Sequence, residues 1–251
     1  MSECDPKRHR ERSSITASSY SISYLIKSEE QVDNCIYELR ERLKEIAKAG
    51  KALEFDRWLN YVSFDIISEL IFSKRLGFVQ KGEDIGNSIG SMRFLMRYQA
   101  VMGFMYWLHP FILHSPLAAY FGLTPHAHIF NVVSKAVKER EDNPEARKDM
   151  VSQWVQNHKK WPARMENREI LAVASMTTIA GSETMTGALE SMFYWLLKNP
   201  DCMKKLKEEL KQAHETDKLS DIVKHREAEQ LPYLQACVSC VYSSLFYLAT
   251  F

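Results

Sequence analysis

Five consecutive residues near the middle of the sequence carry side chains suited to oxygen and proton chemistry: Ala180-Gly181-Ser182-Glu183-Thr184. Ala180 and Gly181 have almost no side chain, so a flat group could lie against the backbone there. Glu183 is a potential proton source, and the Thr184 hydroxyl could hold an oxygen ligand. An ordinary structural interpretation stands beside this one: the threonine bonds the carbonyl four residues earlier, and the glutamate pairs with a neighbouring group.

These residues belong to the longest uninterrupted helical pattern of the chain, residues 166–198, which Asn199-Pro200 ends. Between Ile170 and Leu197 the formal charges are Glu183 and Glu190. A helix that is apolar on all sides is either buried in protein or spans a membrane. The same stretch contains seven serine and threonine hydroxyls, which favour a protein interior over lipid. We therefore predict a long buried central helix.

The remaining elements are also predicted to be helical. Apolar residues recur at steps of three and four, and 9 Gly and 8 Pro in 251 residues are too few for a turn-rich β fold. We therefore expect an all-α fold class in one domain over residues 1–251, with a loop at 74–90. The periodic segments are 29–49, 55–72, 94–121 (broken by Pro110 and Pro116), 126–140, 148–158, 202–214 and 232–251.

Composition excludes several classes of function. Lys plus Arg is 33 and Asp plus Glu is 32, so no basic field for nucleic acid is expected. Five scattered cysteines indicate a reduced chain on the cytoplasmic side of a membrane. The charged N-terminus is expected to be neither a signal peptide nor an anchor. Cys237-Val-Ser-Cys240 has no second pair at zinc-ribbon spacing, and four scattered histidines (His109, His114, His126 and His128) form no ligand pattern, so no metal site is predicted.

Several motifs, in order and at matching spacing, resemble the cytochrome P-450 family of haem-thiolate monooxygenases. The central pentapeptide is similar to the A-G-x-[D/E]-T box of that family. The motif sequences are similar to those of fungal members that act in secondary metabolism, including the pisatin-demethylase-like group. The resemblance covers residues 3–236. The further segments that carry it are Asp5-Pro-Lys-Arg-His9 with Ala17-Ser-Ser-Tyr-Ser21, Phe193-Tyr-Trp-Leu-Leu-Lys-Asn-Pro200, Met203-Lys-Lys-Leu-Lys-Glu-Glu-Leu210 and Leu231-Pro-Tyr-Leu-Gln-Ala236.

The resemblance implies a role for each residue of the candidate site. Thr184 would stabilise bound dioxygen and Glu183 would feed protons, as the two catalytic residues. Ala180 and Gly181 would lie against haem, and His9 would belong to the haem-edge helix. The family oxidises apolar organic substrates with electrons from an NADPH-cytochrome reductase at the endoplasmic reticulum membrane. Residues 94–121 would then cover the substrate pocket and contact the bilayer.

Three departures from the family pattern bear on activity. The positions of the family's Glu-x-x-Arg pair are Cys240 and Ser243, and residues 236–251 no longer resemble the family. No cysteine stands in an F-x-x-G-x-R-x-C loop, which would supply the thiolate ligand of the iron. Ser13 and Ser14 stand where arginines for a haem propionate are usual. We expect a partial fold, truncated at both ends, of marginal stability and without turnover.

Two alternatives to the enzyme remain open. A non-catalytic helical protein could bind a ligand or a partner through an exposed half-core. Residues 231–251 carry no charge, so a membrane-associated protein is the second alternative, although Pro232, Gln235 and several serines weaken it. Neither the substrate nor the oligomeric state can be predicted from the sequence.

Overall fold

The computed structural model describes residues 5–105, 107, 127–143, 148–162 and 165–248. These residues form helices and short 3-10 turns, and none of them lies in a β-strand. The all-α class is therefore confirmed. The helices are α1 (Pro6–Thr16), α2 (Ile22–Lys27), α3 (Glu29–Lys48), α4 (Phe55–Phe72), α5 (Phe78–Lys81), α6 (Ser88–Met102), α7 (Ala127–Asp142), α8 (Met150–Lys160), α9 (Asn167–Lys198), α10 (Pro200–Glu215), α11 (His225–Ala228) and α12 (Pro232–Leu248), with 3-10 turns at Ala17–Tyr20 and Ile85–Asn87.

Helices α4 and α9 pack along each other at the centre, and α3, α7 and α8 surround them. Aromatic and branched side chains that are 0–1% exposed fill the space between these helices. Burial of this apolar surface is the main force that holds the bundle together. The fully buried side chains include Trp154, Phe64, Phe72, Phe78, Ile71 and Ile170.

A buried ion pair connects three of these helices. The Arg140 guanidinium on α7 donates to Asp149 Oδ2 from Nε at 2.9 Å and from Nη2 at 2.6 Å. The same Nη2 also donates to the Phe72 carbonyl oxygen at the end of α4, at 2.9 Å. Asp149 Oδ1 in turn accepts from Ser152 N at 2.7 Å and caps the N-terminus of α8. One arginine therefore joins α4, α7 and α8.

A second buried carboxylate holds the segment after α4. Asp65, 1% exposed, accepts hydrogen bonds from the backbone N–H groups of Gly77, Phe78 and Val79 at 2.8–3.2 Å. These are the orphan donors at the start of α5. The prediction of a continuous loop over residues 74–90 is wrong because α5, the 3-10 turn at Ile85–Asn87 and the first turn of α6 all lie there.

The C-terminal helices are joined by another helix-end contact. Glu209 on α10 accepts from Tyr233 N at 2.8 Å and from Leu234 N at 2.9 Å, at the N-terminus of α12. A carboxylate at this end of a helix satisfies free donors and complements the helix dipole. In the part of the chain that the structure describes, α12 included, no helix combines the length and hydropathy of a bilayer span.

Most predicted boundaries agree with the structure within a few residues. The pattern over 55–72 coincides with α4, and that over 29–49 with α3, which ends before Gly50 at φ +62°. The predicted 94–121 segment corresponds to α6 as far as Met102, and residues 108–121 lie outside the described part. Helix α9 differs from the expectation in one respect: it is buried along one side, and its other side is exposed.

Candidate functional site

The hydroxyl groups on α9 divide between its two sides. Thr178 and Ser182 are fully buried and Thr186 is 3% exposed. Thr178 Oγ1 donates to the Ala174 carbonyl and Ser182 Oγ to the Thr178 carbonyl, each at 2.8 Å. The Thr178 and Ser182 hydroxyls are thus satisfied within the helix, which lets this side of α9 pack against α4. Ser175 Oγ, on the same helix, is buried without a hydrogen-bond partner.

The opposite side of α9 carries an exposed stripe, which we define as Ala172, Met176, Ala180 and Thr184. These residues recur every four positions and so lie along one line of the helix, about 18 Å long at 1.5 Å per residue. Met176 is 55% exposed. The stripe presents two methyl groups, a thioether and a hydroxyl, and therefore offers a flat, weakly polar surface.

Thr184 lies on this stripe with its hydroxyl already engaged. Oγ1 is 2.8 Å from the Ala180 carbonyl oxygen and 3.4 Å from that of Gly181. The local bond expected under the structural interpretation is therefore present. The hydroxyl proton points back along the helix, and the oxygen lone pairs remain able to accept a hydrogen bond.

Glu183 is half-buried beside the stripe. Burial raises the pKa of its carboxyl group, Arg93 on α6 lowers that pKa, and Glu190 raises it further. Burial also raises the pKa of Glu190, which lies two helical turns further along α9. The raised pKa means that Glu183 retains its proton to a higher pH than a free glutamate, as a proton donor requires.

Gly181 does not lie on the exposed stripe. A Cβ atom at this position would be 2.9 Å from Ile67 Cδ1 on α4. The absence of a side chain therefore lets α9 approach α4 closely. Packing accounts for this glycine in the structure, and its predicted contact with haem stays a prediction.

His9 lies on α1 and is exposed. Helix α1 packs against α8 and the following 3-10 turn, where Asn157 Nδ2 donates to the Ile15 carbonyl at 2.9 Å. The segment joins the central helix through Tyr20, whose hydroxyl is 2.6 Å from Thr177 Oγ1. The segment from α1 to Tyr20 is thus connected to α9, and the role of His9 at a haem edge stays a prediction.

Two residues that interact with α9, Arg93 and Tyr20, could not be identified from the sequence. Arg93 lies just before the predicted segment 94–121, and Tyr20 appears only within the motif Ala17-Ser-Ser-Tyr-Ser21, so the sequence assigns neither residue a contact with α9. Arg93 on α6 is far from Glu183 in the sequence, so no local spacing of residues indicates that the two interact. The hydroxyl pair between Tyr20 and Thr177 spans 157 positions of the chain, so spacing alone could not identify it.

The exposed stripe fits one face of a flat macrocycle. Ala180 allows close approach, and Thr184 places a hydroxyl at the edge of the same surface. The cysteines among the described residues lie elsewhere: Cys35 is buried in the core, and Cys202, Cys237 and Cys240 line a cavity at the far end of α9, near Met192–Asn199. That end is about 12–22 Å from Thr184 along the helix axis.

Comparison with known proteins identifies the family. The family profile described as Cytochrome P450 matches residues 3–239, nearly the whole chain and within three residues of the range 3–236 predicted from the motifs. The protein belongs to the cytochrome P450 family. Among its curated relatives are fungal proteins that carry the name cytochrome P450 monooxygenase.

Three of these relatives show how much of a full protein the chain represents. A cytochrome P450 monooxygenase of Aspergillus terreus is 30% identical, with 93% of this chain and 49% of the relative aligned. The monooxygenase mpaDE of Penicillium roqueforti is 29% identical over 93% of this chain and 28% of its own length. ACRTS1 of Alternaria alternata is 26% identical, over 89% and 62% respectively. The chain spans about half or less of the first two relatives.

Proposed function

We propose that this chain supplies the oxygen-handling half of a haem-thiolate monooxygenase of fungal secondary metabolism. The observation that supports this role is the exposed stripe of α9, with Thr184 on it and Glu183 beside it. Haem, when bound against the stripe, would supply the activation of dioxygen and the oxidation of an apolar organic substrate. The electrons would come from an NADPH-cytochrome reductase, and the site of action would be the cytoplasmic side of the endoplasmic reticulum membrane.

Ala180, Glu183 and Thr184 would have separate roles in binding the cofactor and delivering protons. Ala180 would allow the cofactor to approach the helix, and Thr184 would orient an oxygen ligand through its hydroxyl. To donate to that ligand, the Thr184 proton must leave the Ala180 carbonyl 2.8 Å away. Glu183 would then hold the next proton, since burial raises its pKa and keeps it protonated longer.

We also propose that the 251-residue chain alone does not form thiolate-ligated haem. None of its cysteines has the F-x-x-G-x-R-x-C context, and three of them surround the distant end of α9. A carbon-monoxide difference spectrum of the reduced, haem-supplied chain tests this. The expected result is no thiolate-type Soret band, and the appearance of that band would overturn the proposal.

The surface assigned to haem can be tested separately. Ala180→Trp places an indole on the stripe and should weaken haem uptake about tenfold or more in a Soret absorbance titration. Lys211→Trp, on the exposed face of α10, is the matched control and should leave uptake unchanged. Equal uptake by both variants would show that haem binds elsewhere or without specificity.

A non-catalytic binding protein is the second candidate, and the same stripe favours it. A weakly polar surface of this kind can receive a partner helix as readily as a cofactor. Size-exclusion chromatography with light scattering distinguishes the two. Self-association that Ala180→Trp abolishes and haem does not reverse would favour the binding protein.

A further inference from the structure

A cavity lined by thiols lies at the carboxyl-terminal end of α9, away from the exposed stripe. Its volume is about 430 Å³, within the range of small-molecule sites. Its walls come from the end of α9, the start of α10 and the first half of α12. This position separates the cavity from the residues that the monooxygenase role uses.

The spacing of residues on α12 explains why the thiols converge. Tyr233, Cys237 and Cys240 are separated by four and three positions and so share one face of the helix. Cys202, near the start of α10, completes the group beside Tyr233. Interaction with the Cys202 thiol raises the pKa of the Tyr233 hydroxyl to about 12.

The remaining lining is apolar except for Asn199. Met192, Trp195 and Leu196 of α9 face Val241 of α12 across the cavity. Trp195 is 50% exposed, so the cavity opens to solvent beside a large aromatic ring. Among the described residues, no group of His, Cys, Asp or Glu has the arrangement of a metal site.

We propose that this cavity binds small apolar α,β-unsaturated carbonyl compounds and that Cys237 adds to them. Cys237 is the half-buried thiol of the three, whereas Cys202 and Cys240 are exposed. In the reaction the sulfur forms a bond to the β-carbon, the carbon–carbon π bond breaks, and the thiol proton ends on the α-carbon. No electrons are gained or lost, so no oxidant is required.

The surroundings of Cys237 favour reaction with a compound already bound in the cavity over reaction from solution. Burial raises the pKa of its thiol, and Cys202, Cys240 and Glu209 raise it further. A largely protonated thiol reacts slowly with a polar reagent from solution. An apolar compound that occupies the cavity first gains from proximity, so its advantage over a polar reagent identifies the site.

The test compares two maleimides with the same reactive group on the purified, haem-free chain. N-phenylmaleimide should label Cys237 in a saturable manner. Its rate relative to N-(2-hydroxyethyl)maleimide should exceed the same ratio in urea by about tenfold, which corresponds to about 1.4 kcal/mol. Peptide mass spectrometry assigns the labelled thiol. Equal ratios in folded and denatured chain, or preferential labelling of Cys202 or Cys240, would overturn the proposal.

Two variants on α12 separate cavity binding from simple reactivity. Ala236→Trp fills the cavity and should remove the preference for N-phenylmaleimide. Ser239→Trp places the same ring on an exposed position of α12 outside the lining and should retain the preference. Circular dichroism of both variants verifies that the fold is kept. Retention of the preference in Ala236→Trp would contradict the cavity as the binding site.

Discussion

Replacing Arg140 with methionine should lower the free energy of unfolding more than any surface charge replacement. The Arg140 side chain is 5% exposed and that of Asp149 is 1% exposed, so neither charge is solvated by water. Methionine fills part of the volume of the arginine stem but restores none of its three hydrogen bonds. Asp149 Oδ2 and the Phe72 carbonyl would both lose their partner.

The magnitude follows from the uncompensated carboxylate. Breaking a buried ion pair by removing one partner costs about 3–5 kcal/mol. Asp149→Asn should cost a similar amount because it leaves the guanidinium unpaired, although the Oδ1 cap on Ser152 can persist. The double variant leaves no buried charge, so it should cost less than the sum of the single variants by about 0.5–3 kcal/mol.

Urea unfolding followed by far-ultraviolet circular dichroism measures these differences. Arg57→Met is the matched control, since Arg57 pairs with Glu54 at 2.8 Å while their side chains are 58% and 65% exposed. An exposed pair of this kind contributes less than about 1 kcal/mol. If Arg140→Met costs no more than the control, or if the two single costs simply add, the argument from buried charge is refuted.

Further predictions concern α9 and α12. Gly181→Ala should change the free energy of unfolding by no more than about 1 kcal/mol, because the end of the Ile67 side chain can shift. Gly181→Leu should lower it by about 1–3 kcal/mol, measured by urea unfolding. Equal stability of the two variants would contradict the close packing of α9 against α4. Glu209→Gln should speed hydrogen exchange at the start of α12, at a cost of about 1 kcal/mol, and unchanged exchange would exclude the cap. The pKa of Glu183 is raised above 4.5, so the folded chain binds more protons than the unfolded chain just above that pH. Stability should therefore fall as pH rises through this window, and Glu183→Gln should flatten that slope.

The helices were largely predictable, since their apolar periodicity is a local property. The pattern over residues 55–72 reproduced α4. The segment at 74–90 failed for the opposite reason: α5 is held by Asp65, whose carboxylate lies 12–14 positions earlier in the chain. A long-range cap of this kind has no signature in the residues that it orders.

The candidate site was predictable in composition but not in orientation. The motif identified Ala180, Gly181, Glu183 and Thr184 as a group, and the structure places Ala180 and Thr184 on one exposed line. Gly181 instead faces Ile67. Counting apolar residues indicates that α9 can be buried, but not which of its sides the neighbouring helices cover.

The exposed stripe on α9 couples ligand binding to folding. Any compound that binds the folded helix and not the unfolded chain raises the free energy of unfolding, by about 2.7 kcal/mol at a concentration of one hundred times its Kd. The melting temperature rises as a result. Thermal melting therefore reports occupancy of this surface without any turnover. Melting temperatures measured with porphyrins of different size and metal content would show which of them bind to the exposed stripe.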